Sequence, residues 1–162
     1  MVALPPPSPP RPSPPSSPRP PREDAAPLFC LLATEAVSAG FPSPADDYVE
    51  TRIDLNIELV PRPLSTFFMR VSGDAMRGDG IVDGDLLVID RSVDPRPGMV
   101  VVAVHDGGFL LRRLIRRGAA LWLAASDGAS PPLALAGDER AELWGVVIHA
   151  VHHLAGAPSR RH

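Results

Sequence analysis

Short runs of β-favouring residues, separated by turns rich in Gly and Asp-Gly, recur from residue 65 to residue 154 of this 162-residue chain. The runs are "STFFMRV" (65–71), "DLLVID" (85–90), "GMVVVAV" (98–104), "FLLRRLIRR" (109–117), "AALWLAAS" (119–126) and "ELWGVVIHAVHHL" (142–154). Their length and their aromatic and β-branched content predict strands. The "HDGG" at 105–108 supplies the Asp-Gly pair that a tight hairpin demands, and Gly118 marks a second turn. Only "DLNIELV" (54–60) reads as helical, with Asp54 as N-cap and Pro61 as the stop. Short strands at this spacing imply a small, mostly antiparallel β domain. Internal repeats are absent from the sequence, which argues against a propeller or solenoid.

The two ends do not share this pattern. Residues 1–27, "MVALPPPSPPRPSPPSSPRPPREDAAP", are dominated by Pro, Ser and Arg, with fixed φ angles, few backbone donors and little to bury. They are expected to form a disordered, partly polyproline-II tail, and a ligand for an SH3-like or WW-like groove is the functional alternative. Residues 28–39, "LFCLLATEAVSA", are too few for a domain and too apolar to stay in water, so they are expected to pack as an arm. The expected β domain then spans residues 40–155, and 156–162 form a C-terminal tail.

Charge and cysteine content exclude several classes. A net charge of −3 and a pI near 5.9 do not supply the broad basic surface that nucleic-acid backbones require, so any link to DNA is expected to run through a protein partner. Cys30 is the single cysteine, which rules out an intramolecular disulfide and leaves no cysteine pair for zinc. No apolar run reaches the roughly 18–20 residues needed to cross a bilayer, and the expected location is the cytoplasm. Neither a cofactor nor a metal is expected.

The densest turn chemistry lies in "MRVSGDAMRGDGIVDGDLLVID" (69–90), arranged around Ala75, a residue without a reactive group. Four blocks in order, "AGFPSPADDYVETRIDLN" (39–56), "SGDAM" (72–76), "GIVDGDLLVID" (80–90) and "WGVVIHAV" (144–151), closely resemble the UmuD branch of the LexA-type self-cleaving peptidase family. The resemblance runs from about residue 28 to residue 155, and "FPSPADDYVE" is specific to the UmuD branch. It implies an arm folded over a β domain and cut at Ala39-Gly40 by a serine that a lysine activates. It also implies stimulation by the RecA filament on single-stranded DNA, and a homodimer, or a heterodimer with a UmuD paralogue, that joins a UmuC-type error-prone polymerase subunit. A LexA-like repressor fits less well, since residues 1–39 cannot hold a helix-turn-helix domain.

The family nucleophile is the fourth residue of S-G-x-S-M, which here is Ala75, within the turn of Ser72, Gly73, Asp74 and Met76. The family lysine follows the glycine-rich hairpin, and "GGFLLRRL" puts Arg112 at that position. Alanine has no oxygen with which to attack. A guanidinium stays protonated and offers no lone pair, so it cannot act as the base. Independently of any resemblance, all 16 basic residues are arginine, so this chain can assemble no Ser/Lys dyad. The one escape is a Ser/His pair using Ser72 or Ser65 with His105. An arginine at a buried site must find a carboxylate or carbonyls, or turn out to solvent, and Asp74 and Asp79 are the nearest acidic candidates.

Three further groupings have plainer readings. Asp79, Asp83, Asp85 and Asp90 lack calcium-loop spacing and read as turn formers. His149, His152 and His153 alternate in direction on a strand and read as a solvated strand end. Arg112, Arg113, Arg116 and Arg117 read either as a docking patch for an acidic partner or as a charged edge strand that resists aggregation. The function expected is that of a UmuD-like accessory subunit of translesion synthesis without peptidase activity. The rivals are an active self-cleaving endopeptidase and an uncut decoy that restrains polymerase or an active UmuD.

Overall fold

The computed structural model describes residues 17–22, 25–33, 39–40, 50–135 and 141–154. Nine strands, one short α-helix and two single-turn 3-10 helices (Pro63–Ser65 and Arg77–Asp79) follow one another along the described residues. Strands β1 (Phe29–Ala33) and β2 (Glu50–Asp54) pair antiparallel as a two-stranded ribbon. Helix α1 (Leu55–Leu59) follows directly, and the Asp54 carboxylate accepts the Asn56 N–H at 2.9 Å, as the N-cap reading required.

The remaining strands are β3 (Thr66–Arg70), β4 (Leu86–Asp90), β5 (Val100–His105), β6 (Gly108–Arg117), β7 (Ala120–Ala124), β8 (Leu133–Ala134) and β9 (Ala141–Val151). They form one antiparallel sheet in the order β3-β4-β9-β5-β6-β7-β8. The last strand in sequence thus lies between β4 and β5, and so ties the two halves of the sheet together. The register of β9 shifts on both sides, between Val88 and Ile89 and between Val102 and Ala103. Gly145 sits at that junction, where a Cβ would come within 2.7 Å of the Ile89 side chain.

The period of two along β5 splits the core. Val102 joins Met69, Met76, Ile81, Leu87 and Ile89 on one side, while Val101 and Ala103 join Leu114, Leu123 and Val146 on the other. The predicted strands at 65–71, 85–90, 98–104 and 109–117 all appear, with ends that differ by one or two residues. The hairpin at Asp106 and Gly107 has φ of +49° and +78°, the left-handed pair that an Asp-Gly turn permits.

Three expectations need correction. Arg19 exchanges backbone hydrogen bonds with Phe68 at 3.0 and 2.7 Å, and the Ala26 carbonyl accepts from the Asn56 side chain, so the described part of 17–27 runs against the domain. The exposed edge of β3 offers unpaired backbone groups that an extended Pro-rich segment can still satisfy at its non-proline positions. Strand β6 is not an edge, since β5 and β7 flank it. His152 and His153 lie beyond the end of β9, because the strand stops at Val151. The stretches 1–16, 34–38, 41–49 and 155–162, with parts of the tail, arm and "FPSPADDYVE" calls, lie outside the described residues. Among the described residues, no helix is long and apolar enough to cross a membrane.

Candidate active site

The site is built on the loop between β3 and β4. Val71 N–H donates to the Asp85 carbonyl and Gly84 N–H to the Val71 carbonyl, which closes residues 72–83 into a loop. Inside it the Asp83 carboxylate accepts the Gly73 N–H at 2.7 Å, and Gly73 has a φ of +90°, a conformation that favours glycine. Met76 is buried in the core, and its carbonyl accepts the N–H groups of Asp79 and Ile81. The residue before it, Ala75, is therefore held at a fixed height above the sheet.

A second segment latches this loop from outside. Ser126 N–H donates to the Ala75 carbonyl at 2.8 Å, and the Ser126 hydroxyl accepts the Asp79 N–H at 3.1 Å. Gly78 leaves no room for a Cβ, which would collide with the Ser126 carbonyl oxygen. Close backbone approach explains this glycine.

The opposite wall is the start of β6. Ala75, Ser72, Gly73 and Met76 line a cleft of about 100 Å³ together with Val71, Phe109, Leu110, Leu111 and Arg112. The two positions singled out from the sequence, Ala75 and Arg112, therefore face one cavity. Asp74 does not line it and instead pairs with Arg77 at 2.9 Å on the surface. Ala39 and Gly40 lie in an exposed bend.

Of the open alternatives, Arg112 takes a carbonyl and pairs with neither Asp74 nor Asp79 among the described residues. Asp79 belongs to the neighbouring arginine: its Oδ1 accepts from Arg113 Nε at 3.1 Å and Nη2 at 2.5 Å, while Arg113 Nη1 donates to the Gly98 carbonyl. Successive side chains of a strand point to opposite faces, so only one of the two arginines can meet Asp79. Arg112 donates from Nη1 to its own neighbour's carbonyl, Leu111, at 2.8 Å, and its buried Nε has no hydrogen-bond partner among the described residues. Burial pushes its pKa down and the field of Asp127 opposes that shift. The guanidinium stays charged at any working pH all the same.

Asp127 sits at about 2, held there by the Ser130 N–H and hydroxyl and the Ala129 N–H, with Arg112 adding to them. Both groups are thus ionised, yet no hydrogen bond joins them among the described residues.

The Ser/His escape does not assemble in this cleft. His105 lies at the β5–β6 turn with Nδ1 3.5 Å from Asp106 Oδ2, and it is not among the residues that line the cavity. The Ser65 hydroxyl is 2.8 Å from a buried carboxylate oxygen of Asp90. The four aspartates are all occupied structurally: Asp79 by Arg113, Asp83 by Gly73, Asp85 by the Val82 N–H and His152, and Asp90 by Arg62, Ser65 and Ser92. No group of three or more His, Cys, Asp or Glu that could hold a metal occurs among the described residues.

The residues 31–148 match the profile of the peptidase S24-like family. The chain belongs to that family. Within it, this S24 domain is UmuD-like. It is 42% identical to protein ImpA of Salmonella typhimurium over 121 residues, covering 75% of this chain and 82% of that protein. It is 40% identical to SamA of Salmonella typhimurium strain LT2 over 130 residues, 80% and 87% of the two chains. The LexA repressor of Vibrio campbellii is 36% identical over 97 residues, 60% of this chain and 47% of the repressor.

Sequence reasoning missed four contributors to the S24 cleft. Arg113 and Gly78 build its frame, Ser126 latches it, and Phe109, 44% exposed, forms its lip. Only the "RR" doublet gave a signal, since one member of such a pair on a strand must face away from the cleft.

Proposed function

We propose that this chain is a UmuD-like accessory protein of error-prone, translesion DNA synthesis in the SOS response, and that it works without cleaving itself. The observation that carries the reading is the pairing of Ala75 with Arg112 across one cleft whose surrounding turn is otherwise held in place by hydrogen bonds. Hydrolysis of a peptide bond by this architecture needs an oxygen nucleophile and a neutral base beside it. At the two family positions the cleft offers a methyl group and a permanent cation, and the Ser72 hydroxyl, which also lines it, has no neutral base among the lining residues. The absence of lysine from the whole chain supports the same conclusion without any alignment.

The resemblance to UmuD implies a dimer that works alongside a UmuC-type polymerase subunit, under the control of RecA on single-stranded DNA. The exposed bend at Ala39-Gly40 favours one second reading, in which an active UmuD paralogue cuts this chain in trans. Intact mass spectrometry after incubation with RecA, a nucleotide analogue and single-stranded DNA tests both. The chain alone is expected to keep its full mass. A fragment beginning at Gly40 without any added peptidase would overturn the proposal. The same fragment only after addition of an intact UmuD would identify a substrate, and no fragment in either mixture would identify a permanently uncut partner.

A further inference from the structure

We infer that the outer edge of β3 is a pairing surface for the β3 edge of a second copy of this chain, and that the Pro-rich segment 17–22 covers it and keeps it from pairing. The cover lies outside residues 31–148, which match the family, and its role does not depend on the chemistry of the cleft.

The two edges of the seven-stranded sheet differ. Strand β8 is two residues long and follows Pro131-Pro132, so it offers little to pair with. Strand β3 is five residues long, "TFFMR", with no proline and a single charge, Arg70, at its end. Such an edge is a template for another strand. Arg91 N–H donates to the Ser65 carbonyl and Val71 N–H to the Asp85 carbonyl, so the odd-numbered residues from 65 to 71 turn their backbone groups toward β4. Phe68 turns both of its groups outward, where Arg19 takes them.

The sequence of the cover suits a guard better than a strand. Alternate residues of an antiparallel strand direct their backbone groups to one neighbour. Arg19 faces β3, while Pro18 and Pro20, whose nitrogens point the other way, have no N–H to donate. The segment therefore closes one edge without creating a complete new one. A single residue pair is a weak hold. The covalent tether nevertheless gives the segment a high effective concentration at β3, which a second copy free in solution lacks.

The partner is a second copy because β3 is self-complementary. Two copies related by a twofold axis through Phe68 set Phe68 against Phe68, Phe67 against Met69 and Thr66 against Arg70. Phe68 then uses the same N–H and carbonyl that Arg19 takes in the covered edge. Aromatic and apolar side chains meet across the two strands, and no like charges face each other.

Analytical ultracentrifugation of the full chain, of Arg19→Ala and of Arg19→Pro tests the assignment. Alanine keeps the N–H that donates to Phe68, whereas proline removes it and sets a ring carbon against the Phe68 carbonyl. Arg19→Ala is expected to sediment as the native chain does, and Arg19→Pro at about twice the native mass. The ratio of the two masses is what counts, so the expectation is the same if the native chain already pairs through another surface. A nitroxide label on Arg70→Cys, in a Cys30→Ser background, locates the contact. In the twofold register residue 70 and its mate are offset by about four residues, which puts their Cα atoms roughly 15 Å apart. Pulsed electron resonance of the labelled Arg19→Pro chain is expected to show one short distance, on the order of 20 Å, that the labelled chain with an unaltered tail lacks. Native mass in Arg19→Pro would overturn the inference. So would a doubled mass without the short distance, which would place the contact on another surface, and so would the short distance in the chain with an unaltered tail, which would show that the tail does not cover the edge. An Arg19→Ala chain that associates as Arg19→Pro does would contradict the role given to the backbone pair.

Discussion

The frame around the cleft and the cleft itself treat charge differently. Among the described residues each frame carboxylate has a charged or N–H partner, although Asp79 Oδ2 is left without one, whereas Arg112 has no carboxylate hydrogen-bonded to it. In the frame, Asp79 meets Arg113, Asp83 meets the Gly73 N–H, Asp85 meets Val82 and His152, and Asp90 meets Arg62, Ser65 and Ser92. In the cleft, one residue away along the same strand, Arg112 lines the same cavity as Ala75, and its Nε has no hydrogen-bond partner among the described residues. On the proposed reading, a peptidase fold does not need its dyad in order to stand. The turns that position a nucleophile are held by carboxylates and backbone that take no part in the chemistry, so the reactive pair can be replaced while the geometry remains.

The comparison breaks first, and by most, at Asp79. Asp79→Ala removes the carboxylate that accepts two donors from Arg113 and leaves that partly buried cation unpaired, at an expected cost of about 2–3 kcal/mol. Urea unfolding with an unchanged m-value measures it. A loss below about 0.5 kcal/mol, the range of ordinary surface changes, would show that the frame is not held by its carboxylates.

Acid sharpens the comparison with a somewhat smaller effect. Burial by itself would raise the pKa of Asp90, but the Ser92 N–H, the Ser92 and Ser65 hydroxyls and Arg62 together outweigh it and hold the group at about 2 against an ordinary 3.8. The folded pKa lies below the unfolded one, so this contribution is complete above about pH 4 and is lost as pH falls toward 2. By linkage it amounts to about 2 kcal/mol. Stability followed from pH 5 to pH 2 should fall in the native chain, and Asp90→Asn should remove that part of the slope.

The smallest expected effect has the opposite sign. Arg112→Met replaces a desolvated cation with an apolar side chain of similar length, so stability should stay within about 0.5 kcal/mol of the native chain or rise. A loss comparable to that of Asp79→Ala would erase the distinction between frame and cleft.

Much of the fold could be read from period and turn chemistry, because those signals are local. The Asp106-Gly107 hairpin, the Asp54 cap and the main strands follow from residues adjacent in sequence. What escaped depends on distant contacts. Nothing near Ser126 announces that its N–H will meet the Ala75 carbonyl, and nothing near Gly78 shows that a backbone oxygen from residue 126 will occupy the space of its Cβ. The insertion of β9 between β4 and β5 is equally non-local, and it is why β6 lies inside the sheet and not at its edge. At the site, the motif placed Ala75 and Arg112, but an Arg-Arg doublet on a strand does not say which member faces the cleft. Asp79 is one of two acidic candidates for Arg112, and nothing in the doublet shows that Arg113 takes it.

The most direct test restores the chemistry and leaves the frame alone. The single variants Ala75→Ser and Arg112→Lys and the double variant Ala75→Ser/Arg112→Lys would be incubated with RecA filaments and followed by intact mass. The account predicts that the native chain and both single variants remain whole, while the double variant yields a fragment beginning at Gly40. Cleavage of the native chain or of Arg112→Lys would contradict it, because a nucleophile other than residue 75 would then be at work. An inert but folded double variant would contradict the other half of the account, that the frame still holds residues 75 and 112 in a working arrangement.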